Sequence, residues 1–163
     1  SNTDDAEENG AYPFFVRSQE PLAKNDYEFD EEAIVTAGDG VGVGKVFHYI
    51  NGKYSLHQRA YRIHPKGDFI SGKYLFYYFS TIFPAYISKQ MFQGSVPSIR
   101  IPMLNKFEVV VPSSLEQEKI VSILDRFDAL CNDLTSGLPA EIEARQKQYE
   151  YYRDKLLTFK ERT

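Results

Sequence analysis

From Ser113 to the end of the chain, apolar residues recur every third or fourth position, a spacing that only an α-helix turns into a continuous stripe. Ser113-Ser114-Leu115-Glu116-Gln117 supplies the start, because each serine has Glu or Gln three residues on and two capping boxes overlap. Ile120, Ile123, Leu124, Phe127, Leu130 and Leu134 form the stripe of this first helix, and Gly137 followed by Pro139 ends it and opens a second, which runs to about Lys160. Along the second helix Ile142, Tyr149 and Leu156 repeat at heptad spacing, with Arg145, Tyr152 and Phe159 in the companion register. Ile142, Tyr149, Tyr152, Leu156 and Phe159 are thus the helix-pairing residues. A stripe of that length at a terminus requires another helix to cover it.

The residues before Ser113 carry a different pattern. Tyr12 to Val16 reads as a short strand, and Asp26 to Glu32 as a charged turn feeding a strand over Ala33 to Ala37. Val41 to Ile50 and Lys53 to Ile63 flank Asn51-Gly52, the pair that supplies the positive φ angles of a type I′ turn, so a hairpin is expected there. Counting outward sets Val46 against His57, Gly44 against Arg59 and Gly42 against Tyr61. His57, Arg59 and Tyr61 then share a face left open by glycines, although the same glycines could merely bend the strand. Ser71 to Met91 has ring and aliphatic residues at 75, 78, 79, 82, 83 and 86, the pattern of a core helix kinked or restarted at Pro84. Gln93 to Arg100 reads as a polar, basic surface loop, and Phe107 to Val111 as a strand closed by Pro112. The expected class is α+β: a mixed β-sheet domain with packed helices over residues 11–112, then a C-terminal helical coiled-coil arm over 113–163. Residues 1–10 are set aside as a leader, a tag or disordered.

Charge separates along the chain more than the total of -4 suggests. Residues 1–32 hold two basic and ten acidic residues (-8), 33–107 nine and two (+7), and 108–163 eight and eleven (-3). A basic centre between acidic flanks fits a surface that meets a polyanion, and equally fits charges clustered on solvated faces. A single cysteine, Cys131, rules out an internal disulfide and any zinc site built on paired cysteines, which suits a cytoplasmic setting. The most apolar run, Tyr74 to Ile87, is too short for a bilayer and contains Ser80, Thr81 and Pro84.

No catalytic motif survives testing. The run Gly38-Asp39-Gly40-Val41-Gly42-Val43-Gly44-Lys45-Val46 has Asp39 where a Walker A loop needs its first glycine, and Val46 where it needs Ser or Thr for magnesium. It alternates as GxGxGxG and not as GxGxxG, so it is no dinucleotide fingerprint either. His48, His57 and His64 share no ligand geometry with a nearby acid or the lone cysteine, so no metal site is expected and the histidines read as surface or ligand-facing. Two acidic residues between 33 and 107 are too few for two-metal phosphodiester chemistry.

The tail decides the family. Pro112-Ser113-Ser114-Leu115-Glu116-Gln117-Glu118-Lys119-Ile120, Ile123-Leu124-Asp125-Arg126-Phe127-Asp128 and the run from Gly137-Leu138-Pro139 to Lys155-Leu156-Leu157 closely resemble the shared helical region of type I restriction-modification specificity subunits. Thr36-Ala37-Gly38-Asp39-Gly40, His57-Gln58-Arg59, the Tyr-rich helix and the Gly94 to Arg100 loop look like that family's target recognition domains. The resemblance implies a DNA-reading subunit of two recognition domains separated by antiparallel helices, each domain reading half of a bipartite site. This chain has one of each, and the family's usual start before Tyr12 is missing, which reads as a fragment, a trimmed product or a natural half-subunit. The resemblance also implies a non-catalytic component: methyltransferase subunits would bring S-adenosylmethionine, and endonuclease/translocase subunits ATP and magnesium, with no cofactor in this chain. The expected partners are double-stranded DNA, those subunits, and a second recognition half or second copy joined through the helices. The expected DNA contacts are Lys45, His57, Gln58, Arg59 and Tyr61 from the hairpin and Ser95, Ser98 and Arg100 from the loop; Arg and Gln suit bidentate pairing to guanine and adenine. The rival reading is a non-catalytic protein- or glycan-binding module oligomerised by a coiled coil; a third is the recognition part of a fused restriction-methylation enzyme.

Overall fold

The computed structural model describes residues 1–90, 96–129 and 147–148. Strands β1 (Tyr12–Phe15), β2 (Leu22–Lys24), β3 (Phe29–Ala37), β4 (Phe47–Leu56) and β5 (Ala60–Ile63) are followed by helices α1 (Gly72–Ser88) and α2 (Ile101–Asn105). The strands form one mixed sheet in the order β2-β1-β4-β3-β5, parallel between β1 and β4 and antiparallel elsewhere. Ser1–Val121 is one compact unit. In the second unit, residues 122–129 and 147–148 are helical. The expected pairing residues Ile142, Tyr149, Tyr152, Leu156 and Phe159 lie outside the described residues, as does Ser95.

The expected hairpin at Asn51-Gly52 does not form: β4 runs straight through the pair, with Asn51 opposite Glu32 and Gly52 opposite Glu31. A type I′ turn needs positive φ at both central residues, whereas only Gly52 has it (136°) and Asn51 does not. The competing arrangement won because an unbroken β4 keeps one alternation along its length. Phe47 and Tyr49 meet α1 through edge-on and tilted contacts with Phe79 and Phe76. Ile50, Tyr54 and Leu56 meet the opposite cluster of Phe15, Ala33, Val35 and Ala60. The charged stretch expected as a turn becomes the first half of β3, since Phe29, Glu31 and Ala33 have partners waiting on β4. The pairs inferred from the turn, Val46 with His57, Gly44 with Arg59 and Gly42 with Tyr61, fall with it.

The link between β4 and β5 forces the sheet to coil. Tyr54 pairs beside Phe29 and Ala60 beside Ala37, on opposite sides of β3. A flat β3 would hold those two positions about 26 Å apart along its axis, yet the six steps from Tyr54 to Ala60 reach at most about 21 Å. The strand therefore curls, closing the Phe15, Tyr54 and Ala60 cluster beneath it. Tyr54 is buried, its hydroxyl donates to Glu31 at 3.0 Å, and Arg62 from β5 pairs with the same carboxylate while lying 4.4 Å over the Phe29 ring.

Two histidines line this side. His48 lies 4.9 Å from Phe15, ring to ring, and His57 lies 6.5 Å from Phe14. Burial holds both imidazoles below their ordinary value of 6.5, and the Arg17 charge adds to the effect at His57. The unfolded chain thus binds more protons than the folded one as pH falls through the unfolded value, so stability is full above about pH 7 and declines toward pH 5. Urea midpoints at about pH 7.5 and about pH 5.5 test this; the lower-pH midpoint should be the smaller.

On the other face, Leu75, Phe79, Phe83 and Ile87 of α1 recur every fourth residue and pack with Ile34, Val43 and Ile99. The helix starts where Ser71 accepts from the Tyr74 N–H and runs through Pro84 without restarting. Residues 107–111, expected as a strand, have no regular structure; Phe107 and Val109 nevertheless pack on the α1 cluster, and Val110 accepts from the Tyr74 hydroxyl at 2.7 Å. Alternation alone could not separate a strand from an irregular strip with one buried side.

The helix from residue 114 begins with a capping box: the Ser113 N–H donates to Glu116, and Ser113 Oγ accepts from the Glu116 N–H. Gln117 does something else. It is 2% exposed, its Oε1 accepts from the Ser71 N–H at 2.8 Å, and its Nε2 donates to the carbonyls of Phe69 and Pro112, both at 2.9 Å. Residues 1–10, set aside as a leader, are part of the fold: a 3-10 turn at Thr3–Asp5 closes on Asn2, and the Glu7 N–H donates to the Ala23 carbonyl of β2.

Candidate nucleic-acid interface

Three backbone segments are stitched together at the end of β3. The Gly38 N–H donates to the Arg59 carbonyl at 2.8 Å, the Ile99 N–H to the Gly38 carbonyl at 2.8 Å, and the Gly40 N–H to the Pro97 carbonyl at 2.9 Å. Asp39 and Ser98 form an antiparallel bridge, and the Tyr61 hydroxyl donates to the Ile99 carbonyl. Glycine at 38 is required by the approach, since a Cβ there would lie 2.6 Å from the Arg59 carbonyl oxygen and 3.0 Å from the Tyr61 ring. A glycine does lie against Arg59 and Tyr61, as the sequence suggested, but it is Gly38, just past the end of β3, and neither Gly42 nor Gly44.

The result is a cleft of about 210 Å³ among Gly38, Asp39, Gln58, Arg59, Tyr61 and Ser98. Backbone groups hold its walls, so side chains are left to face outward. Gln58 and Arg59 occupy the tight turn between β4 and β5, closed by the Ala60 N–H on the His57 carbonyl. Gln58 is exposed and touches Asn2, and the Arg59 side chain is 58% exposed.

Asp39 sits between two guanidinium groups, 2.7 Å from Arg17 and 3.6 Å from Arg59. Two positive charges against one negative leave this corner at +1. By contrast Arg62 is matched by Glu31, so the acidic segment 1–32 neutralises part of the basic centre in three dimensions, while Lys24 is matched within its own segment by Asp26.

Of the expected contacts, the fold gathers Gln58, Arg59, Tyr61 and Ser98 in this cleft. Arg100 is exposed at the end of the 97–100 segment, and Lys45 is exposed in the β3–β4 connection beyond Gly44, whose neighbours are Ile87 and Pro84 of α1. His57 does not join them on the surface: it is 5% exposed, and its Nδ1 accepts from the Arg59 N–H at 3.1 Å, so it supports the turn from beneath. Arg17 and Asp39, which meet here, were not among the expected contacts: Arg17 follows β1 in the segment with the strongest negative charge, and Asp39 stood in the Thr36–Gly40 stretch likened to recognition domains without a contact role of its own. Among the described residues no group of three His, Cys, Asp or Glu side chains is placed to hold a metal. No helix among them is long and apolar enough to cross a membrane.

Residues 1–144 match the family described as the type I restriction modification DNA specificity domain. The chain belongs to that family. This specificity domain is 35% identical over 136 residues to a putative type I specificity subunit of Mycoplasma pneumoniae, covering 83% of the chain and 43% of that protein. It is 33% identical over 153 residues to the MpnII specificity subunit of the same organism (93% and 45%), and 59% identical over 66 residues to a type I restriction enzyme specificity subunit of Escherichia coli (40% and 16%). Among solved structures, its fold is similar to the S subunit of a type I restriction-modification system from M. genitalium, with TM-score 0.65 and 18% identity over 94% of this chain and 40% of that one. The specificity domain spans less than half the length of each of these proteins.

Proposed function

We propose that this specificity domain reads one half of a bipartite duplex DNA target for a type I restriction-modification complex and performs no chemistry itself. The observation that carries the reading is the cleft at the end of β3, where backbone bonds fix the walls and leave Gln58, Arg59 and Ser98 exposed beside a corner of net positive charge. Arg59 is suited to the O6 and N7 of guanine and Gln58 to adenine, while Lys45 and Arg100 supply charge toward phosphates. Ser95, an expected contact from the same loop, lies outside the described residues.

Methyl transfer with S-adenosylmethionine, and cleavage driven by ATP with magnesium, belong in this proposal to methyltransferase and endonuclease/translocase partners in the cytoplasm. The exposed Ile120, Ile123 and Phe127 support a helix-covering role for the tail. Ile142, Tyr149, Tyr152, Leu156 and Phe159 would pair it with a second recognition half and so set the distance between half-sites.

The test is binding of the full chain to a randomised duplex pool, followed by affinity for the enriched site. Arg59→Ala is expected to weaken the enriched site by about 1 to 3 kcal/mol and to relax one position of it. Unchanged affinity and sequence preference would remove Arg59 from base reading; failure of the wild-type chain to enrich any sequence would sink the proposed function.

A further inference from the structure

Asp39 is an unexpected residue in a surface that meets DNA, because a carboxylate facing phosphates is repelled by them. Its position also wastes its ordinary use. It is the N-cap of the 3-10 turn Gly40–Gly42, a place where Asp commonly accepts a backbone N–H, yet its side chain makes no capping bond. Instead one oxygen accepts from Arg17 Nη1 at 2.7 Å and the other lies 3.6 Å from Arg59 Nη1. The carboxylate is 30% exposed and lines both the cleft with Gln58, Arg59 and Ser98 and the neighbouring hollow with Arg17, Ser18 and Val41. Backbone bonds among the end of β3, the β4–β5 turn and the 97–100 segment fix the Asp39 main chain at this corner, within reach of both guanidinium groups.

We propose that Asp39 is a specificity-determining residue of the recognition cleft, which occupies Arg17 and Arg59 in the free protein and keeps them from phosphates of non-target DNA. A phosphate that competes for Arg17 must displace a carboxylate oxygen held at 2.7 Å, and one that approaches Arg59 must sit beside the same negative charge. A target base pair is not so penalised: guanine O6 and N7 accept from the free N–H groups of Arg59, and the exocyclic amino group of the paired cytosine can donate to Asp39. Arg59 and Asp39 together thus suit a G·C pair, whereas a phosphate finds the attraction of two guanidinium groups cut by the carboxylate between them. This inference rests on the recognition role proposed for the same cleft.

The test compares the full wild-type chain with Asp39→Asn and Asp39→Glu. Affinity for bulk random-sequence duplex and the sequence enriched from a randomised pool are measured at one salt concentration. Asp39→Asn should bind bulk duplex about 3- to 10-fold more tightly, the order expected for removing one like charge from a phosphate contact, and its enriched sequence should lose a G·C position. Asp39→Glu should stay near wild type in bulk affinity. Unchanged bulk affinity in Asp39→Asn, or equal weakening on all duplexes, overturns the inference and leaves the recognition role intact as long as the wild-type chain enriches a sequence. If the wild-type chain enriches none, it is the recognition role that fails. Melting temperatures of the three proteins separate a folding defect from a change at the cleft.

Discussion

Phe83→Ala should cost about 3 to 5 kcal/mol of folding stability, the range for deleting a fully buried ring that its surroundings cannot collapse to replace. Phe83 is 0% exposed, stacks on Phe79 with centroids 4.2 Å apart, and takes the Phe107 ring edge-on at 5.1 Å. Those neighbours belong to α1 and to the irregular strip 107–111, so the cavity would open between two elements and neither could fill it alone. Ile82, the next residue on the same helix, is 44% exposed, and Ile82→Ala should cost under about 1 kcal/mol. Urea titrations check both: the Phe83 variant should lower the midpoint strongly with its slope unchanged. Similar losses for the two variants would mean that α1 does not bury the face described here.

Gln117→Ala should cost about 1 to 3 kcal/mol, because it strips the buried amide's bonds from three part-buried backbone groups at once. The Ser71 N–H and the Phe69 and Pro112 carbonyls have this amide as their side-chain partner, and the amide itself is only 2% exposed. Gln117→Glu should be worse than Gln117→Ala at neutral pH. One carboxylate oxygen could still accept from Ser71, but the other would face two carbonyls without a hydrogen to offer and with a buried charge. Such a carboxyl has its pKa raised on folding, so the variant's deficit against wild type should shrink as pH falls toward about 4. Equal deficits for Gln117→Glu at both pH values would show that the side chain is not held in the three-bond arrangement. Because Ser71 caps α1 and Pro112 precedes the tail, losing Gln117 should also loosen the joint between the α1 cap and the start of the tail helix.

How much of this was legible beforehand varies with the range of the interaction that decides each element. The start at Ser113 was legible, since a capping box is completed within four residues. The core face of α1 was legible in Leu75, Phe79 and Phe83 because helical periodicity repeats over several turns. Asn51-Gly52 misled because the competing partner, the Phe29 to Glu32 half of β3, lies about twenty residues away and reads as a charged turn. Gln117 read as a second capping-box residue, and nothing local announces that its amide turns to Ser71 and Phe69, more than forty positions earlier.

The candidate site divides in the same way. Residue chemistry singled out Gln58, Arg59, Tyr61 and Ser98 through the family resemblance, and the fold does bring these four together. It buries His57 under the turn, and it adds Arg17 and Asp39, whose relevance exists only once β1, β3 and the β4–β5 turn meet.

The sequence by itself determined the family, the α+β class, the start of the tail helix and its cap, and the apolar face of α1, because each is written in residue types at short, regular spacing. Only the tertiary structure decided that β4 crosses the Asn51-Gly52 pair, that the sheet coils, that residues 1–10 join it, and that one carboxylate stands between two arginines. Those outcomes depend on which distant segment offers the better set of partners, and that competition is settled by packing the whole unit at once.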